Sequence, residues 1–332
     1  MKFNFRTFFC RLGIGGLMLG AVVAGPGSAS ATTAFPGGSA QTCTGTVDSP
    51  GTLAGSYGNV IITGACVVDA GPVNVSGNLT IASGGALTAI FGLNDQTGSG
   101  NSNMTVHGNL VVDTGGSLML GCYSLVTPLW GVTHLINVPD FPCFDDPNPG
   151  APTLNTQDVI DGNLISNNPL GVVVHNTTIR GNVTQNGGGA GTGCANVGIF
   201  NKYFGLPEWT SYESNAIGGN FVVSGLNTCF DAALRNIVRG NMTVTNNTGG
   251  VFFGSADATE FVSNTVYGNL ACSGNNPAVQ LGDSDGLPNK VAGNATGECG
   301  FNVILPNPGF NSGVQCPPCV RTFQPASVKL SH

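Results

Sequence analysis

The dipeptide Gly-Asn, usually followed by a short apolar strand, recurs along the chain. It stands at Gly58-Asn59, Gly77-Asn78, Gly108-Asn109, Gly162-Asn163, Gly181-Asn182, Gly219-Asn220, Gly240-Asn241, Gly268-Asn269 and Gly293-Asn294. The successive gaps are 19, 31, 54, 19, 38, 21, 28 and 25 residues. The two 19-residue gaps display the unit. The first holds Val60-Ile61-Ile62, Cys66-Val67-Val68 and Val73-Asn74-Val75; the second holds Leu164-Ile165, Val172-Val173-Val174 and Thr177-Thr178-Ile179. Short β-branched runs separated by Gly, Asn and Pro turns read as strands, three to a repeat. One such coil cannot bury its own apolar face, but stacked coils can, with strands pairing coil to coil at ~4.8 Å. Asn suits a corner that every coil shares. It tolerates left-handed backbone, and its amide can bond to the same amide one coil away. The pattern therefore predicts an all-β chain wound as a parallel β-helix, a three-strand solenoid. A β-sandwich with Gly-rich hairpins is the alternative, but sandwich strands are longer and share no dipeptide at fixed phase.

Composition excludes other classes. Only 8% of residues are charged, against roughly 25% in an ordinary soluble domain. The hydrophobic fraction is 41%, too high for disorder. The wealth of Gly, Pro and Asn opposes a helical bundle or coiled coil, and the 52 glycines follow no three-residue collagen period.

The start of the chain reads as a leader. Lys2, Arg6 and Arg11 precede an apolar stretch from Leu12 to Val23, and Ala29-Ser30-Ala31 supplies small residues for cleavage after Ala31. The apolar run is shorter than the ~20 residues of a membrane span, so residues 1–31 are expected to be a signal peptide and the product to be secreted. Residues 32–57 are then an N-terminal cap, 58–304 the β-helix domain, and 305–332 a tail carrying Cys316-Pro317-Pro318-Cys319. Removing 1–31 takes the basic count from 10 to 7, leaves 17 acids, and moves the formal charge from −7 to −10. That balance argues against nucleic acid as a partner. Glycans, extracellular macromolecules and calcium stay open.

The ten cysteines outside the leader read as disulfides in an exported chain. Similar phase in neighbouring coils pairs Cys194 with Cys229 and Cys272 with Cys299. Cys122–Cys143 is expected to tie the base of the longest insertion, Cys43–Cys66 the cap, and Cys316–Cys319 the tail.

In its repeat phase, over about residues 43–304, the chain resembles the secreted right-handed parallel β-helix proteins of the pectate-lyase-like group. That resemblance implies the fold and, for enzymes of the group, action on polysaccharide. The catalytic motifs do not follow. No Asn-Thr-Asp, Gly-His-Gly or Arg-Ile-Lys run of the polygalacturonase kind is present.

The extra length of the long repeats is read as falling between the second and third strands, at 92–101, 123–156, 201–214, 231–236, 254–263 and 282–288. Insertions at one phase protrude from one edge of a solenoid and stack side by side. These six stretches hold 11 of the 17 acids and both tryptophans. The candidate ligand-binding residues are accordingly Trp130, Tyr203 and Trp209, with Asp145, Asp146 and Glu208 beside them. Flat rings suit the apolar faces of sugars, and carboxylates take hydroxyl hydrogens. The competing view is a small core under long loops, with charge where solvent reaches it. For catalysis the candidates are Asp145, Asp146, His134 and Glu208, since glycoside hydrolysis requires paired carboxylates. Asp283-Ser284-Asp285-Gly286 has the start of a calcium loop, with Asp283 and Asp285 as ligands, but lacks the downstream Glu. Along the strands, Ile61, Val67, Val173, Val222 and Phe252 are expected to face the interior.

Three functions fit. The first is a secreted or surface-associated structural or adhesive solenoid that binds glycan through its loop edge. The second is a polysaccharide lyase or glycoside hydrolase acting from that edge. The third is an ice- or mineral-binding flat face, which the absence of a regular Thr-x-Thr ladder opposes.

Overall fold

The computed structural model describes residues 40–126, 139–148, 151–195, 198–250, 258–279, 288–300 and 303–304. The chain winds as a right-handed solenoid whose three long faces are parallel sheets. The first sheet has ten strands, from Gln41–Cys43 through Val60–Ile62 and Leu79–Ile81 to Ala295–Gly297, and the strand after each of the nine Gly-Asn dipeptides named above joins it. The second has eight, from Gly51–Thr52 to Thr259–Val262. The third has ten, from Gly55–Tyr57 to Val303–Ile304. Residues 41–57 already contribute one strand to each sheet, so winding starts before the first Gly-Asn.

Three-residue strands dictate which side chains go inside. In the first sheet the outer two of each triad point inward, as with Val60 and Ile62, Leu79 and Ile81, and Leu110 and Val112. Val73, Val75, Met104 and Val106 do the same from the third sheet, and all join one continuous core. The middle residues face out. Ile61 and Val222 are therefore half-exposed on the outer face, a correction to the expected inward set. An all-apolar triad carries no alternation from which to read its phase. Val67 and Val173 also face outward from their sheet, yet they are buried, because a second apolar cluster covers that face. Phe252 lies outside the described residues.

The repeated dipeptide works through close approach. Each Asn Oδ1 accepts the backbone N–H of the next coil's Asn, in an unbroken series from Asn59 to Asn294 with lengths of 2.7–2.9 Å. The Gly before each Asn is required by this ladder. A Cβ at Gly77 would lie 2.1 Å from the Asn59 Oδ1, and one at Gly219 would lie 2.4 Å from the Asn182 Oδ1.

Two further Asn ladders occupy the other corners, and there the left-handed residue comes just before the Asn. Ser214, Arg235 and Ser263 have φ of +57°, +58° and +58° and precede Asn215, Asn236 and Asn264. In this ladder the hydrogen bonds run the opposite way. The N–H groups of Thr177, Asn215, Asn236 and Asn264 donate to the amide oxygens of Asn215, Asn236, Asn264 and Asn289 in the following coil. Each amide nitrogen donates to a main-chain carbonyl: Val174, Tyr212, Ala233 and Phe261 respectively. Asp158 takes the same position at the start of the ladder, accepting the Met104 N–H at 2.6 Å. The third ladder runs from the Leu226 N–H to Asn247, then Asn275, and ends on the Glu298 carboxylate.

The insertions gather on one side of the solenoid but leave from two corners. Residues 90–103 and 121–158 lie between second-sheet and third-sheet strands, whereas 187–209 lies between first-sheet and second-sheet strands. Stretches 201–214, 231–236 and 254–263 were expected as loops. They contain the second-sheet strands Thr210–Glu213, Asp231–Leu234 and Thr259–Val262. Their acids suggested solvent, but Thr210, Asp231 and Thr259 are buried. The Tyr212 hydroxyl donates to Gln185 at 2.6 Å, Gln185 donates to Thr210, and Thr259 donates to Asp231. Burial pushes the Asp231 carboxyl up to about 7, against hydrogen bonds from Thr259 and Asn247.

Four disulfides join Cys43 to Cys66, Cys122 to Cys143, Cys194 to Cys229 and Cys272 to Cys299, with Cα separations of 6.4, 4.8, 4.9 and 5.4 Å. All four were expected: Cys194–Cys229 and Cys272–Cys299 from coil phase, Cys122–Cys143 as the tie of the longest insertion and Cys43–Cys66 as that of the cap. Cys316 and Cys319 lie outside the described residues. No helix among the described residues is long and apolar enough to cross a membrane.

Candidate functional site: an aromatic shelf with three carboxylates

The outer face of the second sheet presents Val67, Thr88, Met119 and Val173, one above another, a row that is apolar but for the buried threonine. A flat apolar strip of this kind must be covered or remain exposed as a patch. The insertions cover it. Ile90 and Phe91 follow the strand Ala86–Ala89, Phe141 and Cys143 come from the longest insertion, and Phe200 comes from the helix Gly198–Phe204. Cys122–Cys143 closes the base of the longest insertion. The Asp145 carboxylate accepts the N–H groups of Gly92 and Leu93 at 2.8 and 2.7 Å, which fastens one insertion to the other.

On top of this cluster lies a shelf of rings. Phe144 and Tyr203 meet edge to face at 5.1 Å, and Phe91 stands 5.7 Å from Phe144 and 6.0 Å from Tyr203. Phe144 is 51% exposed, an unusual position for a phenylalanine. Asp145 follows Phe144, Asp69 lies near Tyr203, and the Asp95 N–H donates to the Asp69 carbonyl at 2.7 Å. Asp69 is raised above the ordinary carboxylate range by burial and by the charge of Asp145, against a hydrogen bond from its own backbone. Asp95 is raised by burial and by the charges of Asp145 and Asp69. Burial and the Asp69 charge push the Tyr203 phenol up to about 12, so it stays a neutral donor. The shelf thus combines an exposed ring, a phenol donor and carboxylate acceptors in a negative field. Among the described residues, no three His, Cys, Asp or Glu side chains converge as a metal site.

Of the residues singled out from the sequence, Tyr203 and Asp145 are brought together here. Asp146 lies beneath, buried. Burial alone would raise it, but the N–H groups of Leu154, Asn148 and Thr153 outweigh burial and hold it low. Glu208 is wholly buried beside Gly171 and Gly198, and burial pushes it up to about 8, against hydrogen bonds from Ser117 and Phe200. Trp209 is 8% exposed, with its ring edge-on to Phe200 at 4.6 Å. Trp130, His134, Asp283 and Asp285 lie outside the described residues. Phe91 and Asp69 were not among the candidates, because each stands two residues after a second-sheet strand rather than within an expected insertion.

No protein-family model, curated protein or solved structure matches the chain. The shelf has to be judged on its own chemistry.

A second polar cluster has the composition of a hydrolase triad without its geometry. His175 Nε2 faces both Ser211 Oγ at 3.3 Å and Glu213 Oε1 at 3.5 Å, while the Ser211 hydroxyl donates to Glu213. Arg235 pairs with Glu213 at 2.9 Å and donates to the Tyr123 hydroxyl. Burial pushes His175 down to about 4; Arg235 adds to this and Glu213 opposes it. Burial alone would raise Glu213, but His175, Arg235 and Ser211 hold it below its usual range. His175 and Ser211 are buried, so the cluster ties the ends of neighbouring strands together inside the molecule. A polar cavity of about 380 Å³ opens on the third-sheet side, lined by Thr156, Gln157, Asp158, Val159, Asn176 and Thr178.

Proposed function

We propose that the protein is an exported structural or adhesive β-solenoid that holds a neutral glycan against the shelf of Phe144 and Tyr203. The half-exposed Phe144 ring carries this reading, because it stands beside a phenol donor and carboxylate acceptors on a lobe fixed by a disulfide. An aromatic face packs on the apolar face of a sugar, and the polar rim takes its hydroxyls. The leader-like start and the four disulfides support export. Kinship with the pectate-lyase-like group belongs to this proposal and rests on the shared coil architecture.

Binding is favoured over hydrolysis by what the acids do. Asp145 and Asp146 spend their oxygens on main-chain N–H groups, and Glu208 is sealed from solvent. A glycan array, with reducing-sugar and unsaturated-product assays on the same protein, tests the reading. Retention of neutral oligosaccharides that Phe144→Ala abolishes, at unchanged melting temperature and with no product, is the expected result. Product formation, or retention indifferent to Phe144→Ala, overturns it.

A further inference from the structure

The chain is acidic, yet its exposed cations are not scattered. Among the described residues the exposed Lys and Arg side chains are Arg180, Lys202, Arg239 and Lys290, and all but Lys202 stand on the outer face of the third sheet. The strand register puts Arg180, Gly218, Arg239 and Tyr267 in a single row on four successive coils. Asp161 and His107 continue that row on the two preceding coils. Asp161 pairs with Arg180 at 2.9 Å and with His107 at 2.6 Å. From Arg180 onward the row carries no acid.

The row has a fixed gap. A Cβ at Gly218 would lie 2.2 Å from the Arg180 carbonyl oxygen, so only glycine fits between the two arginines. The Arg239 guanidinium lies 5.9 Å from the Tyr267 ring centre, on the side away from the gap. Tyr267 is 49% exposed, and Ile237 beside it is 46% exposed. The two arginines are two coil steps apart, about 10 Å, comparable with the length of a disaccharide.

We infer that this row is a second binding surface, for a linear acidic polysaccharide bearing one carboxylate per disaccharide. Successive carboxylates meet Arg180 and Arg239, which suit planar anions. The intervening sugar crosses Gly218, and the next ring rests on Tyr267. The surface lies on a different sheet from the Phe144 shelf, and neither reading depends on the other. The negative field of the shelf repels the polymer that this row attracts.

Affinity electrophoresis of the full chain against hyaluronan, polygalacturonate and neutral dextran tests the inference across a salt series. Hyaluronan, charged on alternate sugars, should retard the protein most, with retardation falling as salt rises. Arg239→Gln and Arg180→Gln should each weaken hyaluronan binding about tenfold, and Tyr267→Ala several-fold, with melting temperature unchanged. Arg239→Lys should recover part of the loss. Equal retardation by polygalacturonate overturns the spacing assignment. Indifference to both arginine variants, or no binding to either polyanion, overturns the site, the second outcome being the one expected if the row serves an acidic protein instead.

Discussion

Replacing Asp158 by Asn isolates the cost of one carboxyl in a row of amides. Asp158 occupies the position that Asn215, Asn236, Asn264 and Asn289 hold in later coils, and its Oδ1 accepts a main-chain N–H as theirs do. Its other oxygen stands where an amide would donate, and it is buried without a hydrogen-bond partner. Burial pushes the group up to about 7 from 3.8, against hydrogen bonds from Met104 and Thr156. Between those two values the native state holds a proton that the unfolded chain has lost. The stability this group contributes is therefore complete below the unfolded value and is lost as pH rises through about 7. A difference of about 3 in pKa, at about 1.4 kcal/mol for each unit, corresponds to about 4 kcal/mol. Asp158→Asn carries no such charge. Urea unfolding of both proteins from pH 4 to pH 8 should give near-equal stability at the acid end, with the variant ahead by a few kcal/mol at the alkaline end. A stability difference that does not change across that range would refute the assignment of a buried, proton-holding Asp158.

Glu208→Gln should behave alike at higher pH, with its advantage growing as pH rises through about 8, the value to which burial pushes Glu208; thermal melts at pH 5 and pH 9 check it. Gly181→Ala should cost about 1–3 kcal/mol, because its Cβ would lie 2.5 Å from the Gly162 carbonyl oxygen. Asn182→Ala, which removes a single ladder acceptor, should cost about 1 kcal/mol in the same denaturation assay. Val173→Asp should lower stability by several kcal/mol by burying a charge in the second core, whereas Ile61→Asp on the open face should cost far less. Comparable losses for the two would contradict the assigned strand faces. Cys194→Ser with Cys229→Ser should cost about 2–4 kcal/mol, read as a lower unfolding midpoint under oxidising conditions.

The solenoid was legible because its corner repeats. From Gly58 onward a Gly-Asn marks one phase of the coil, and the runs that follow it fall on the three sheets in order. Two of the disulfides, Cys194–Cys229 and Cys272–Cys299, were legible for the same reason, and Cys122–Cys143 and Cys43–Cys66 from their places at an insertion and at the cap. Strand facing was not legible, because Val60-Ile61-Ile62 is apolar throughout and only packing decides which residues turn in. Loop boundaries failed where acids entered strands. Thr210-Ser211-Tyr212-Glu213 reads as polar linker until its hydroxyls are seen bonded inside the molecule. One of the two other Asn ladders also leaves a trace in the sequence: Asn215, Asn236, Asn264 and Asn289 each stand five residues before the Asn of a Gly-Asn. Tyr203 and Asp145 were found from their place in the expected insertions and from side-chain chemistry. Asp69 and Phe91 belong to strand ends, and only the folding of insertions over the second sheet shows why they matter.

Because neighbouring coils are registered by amides at their corners, the span between corners is free to vary. Gaps of 19 and of 54 residues both return the chain to the same Asn. A coil is in this sense a unit of inheritance. An in-frame duplication of a whole 19-residue turn supplies both the donor and the acceptor that the break removes, whereas loss of a single residue within a strand offsets every ladder it enters. A lineage built on such a chain can lengthen its body coil by coil and trade its lobes without renegotiating the scaffold. Its lobes and outer faces can change faster than the spine that carries them.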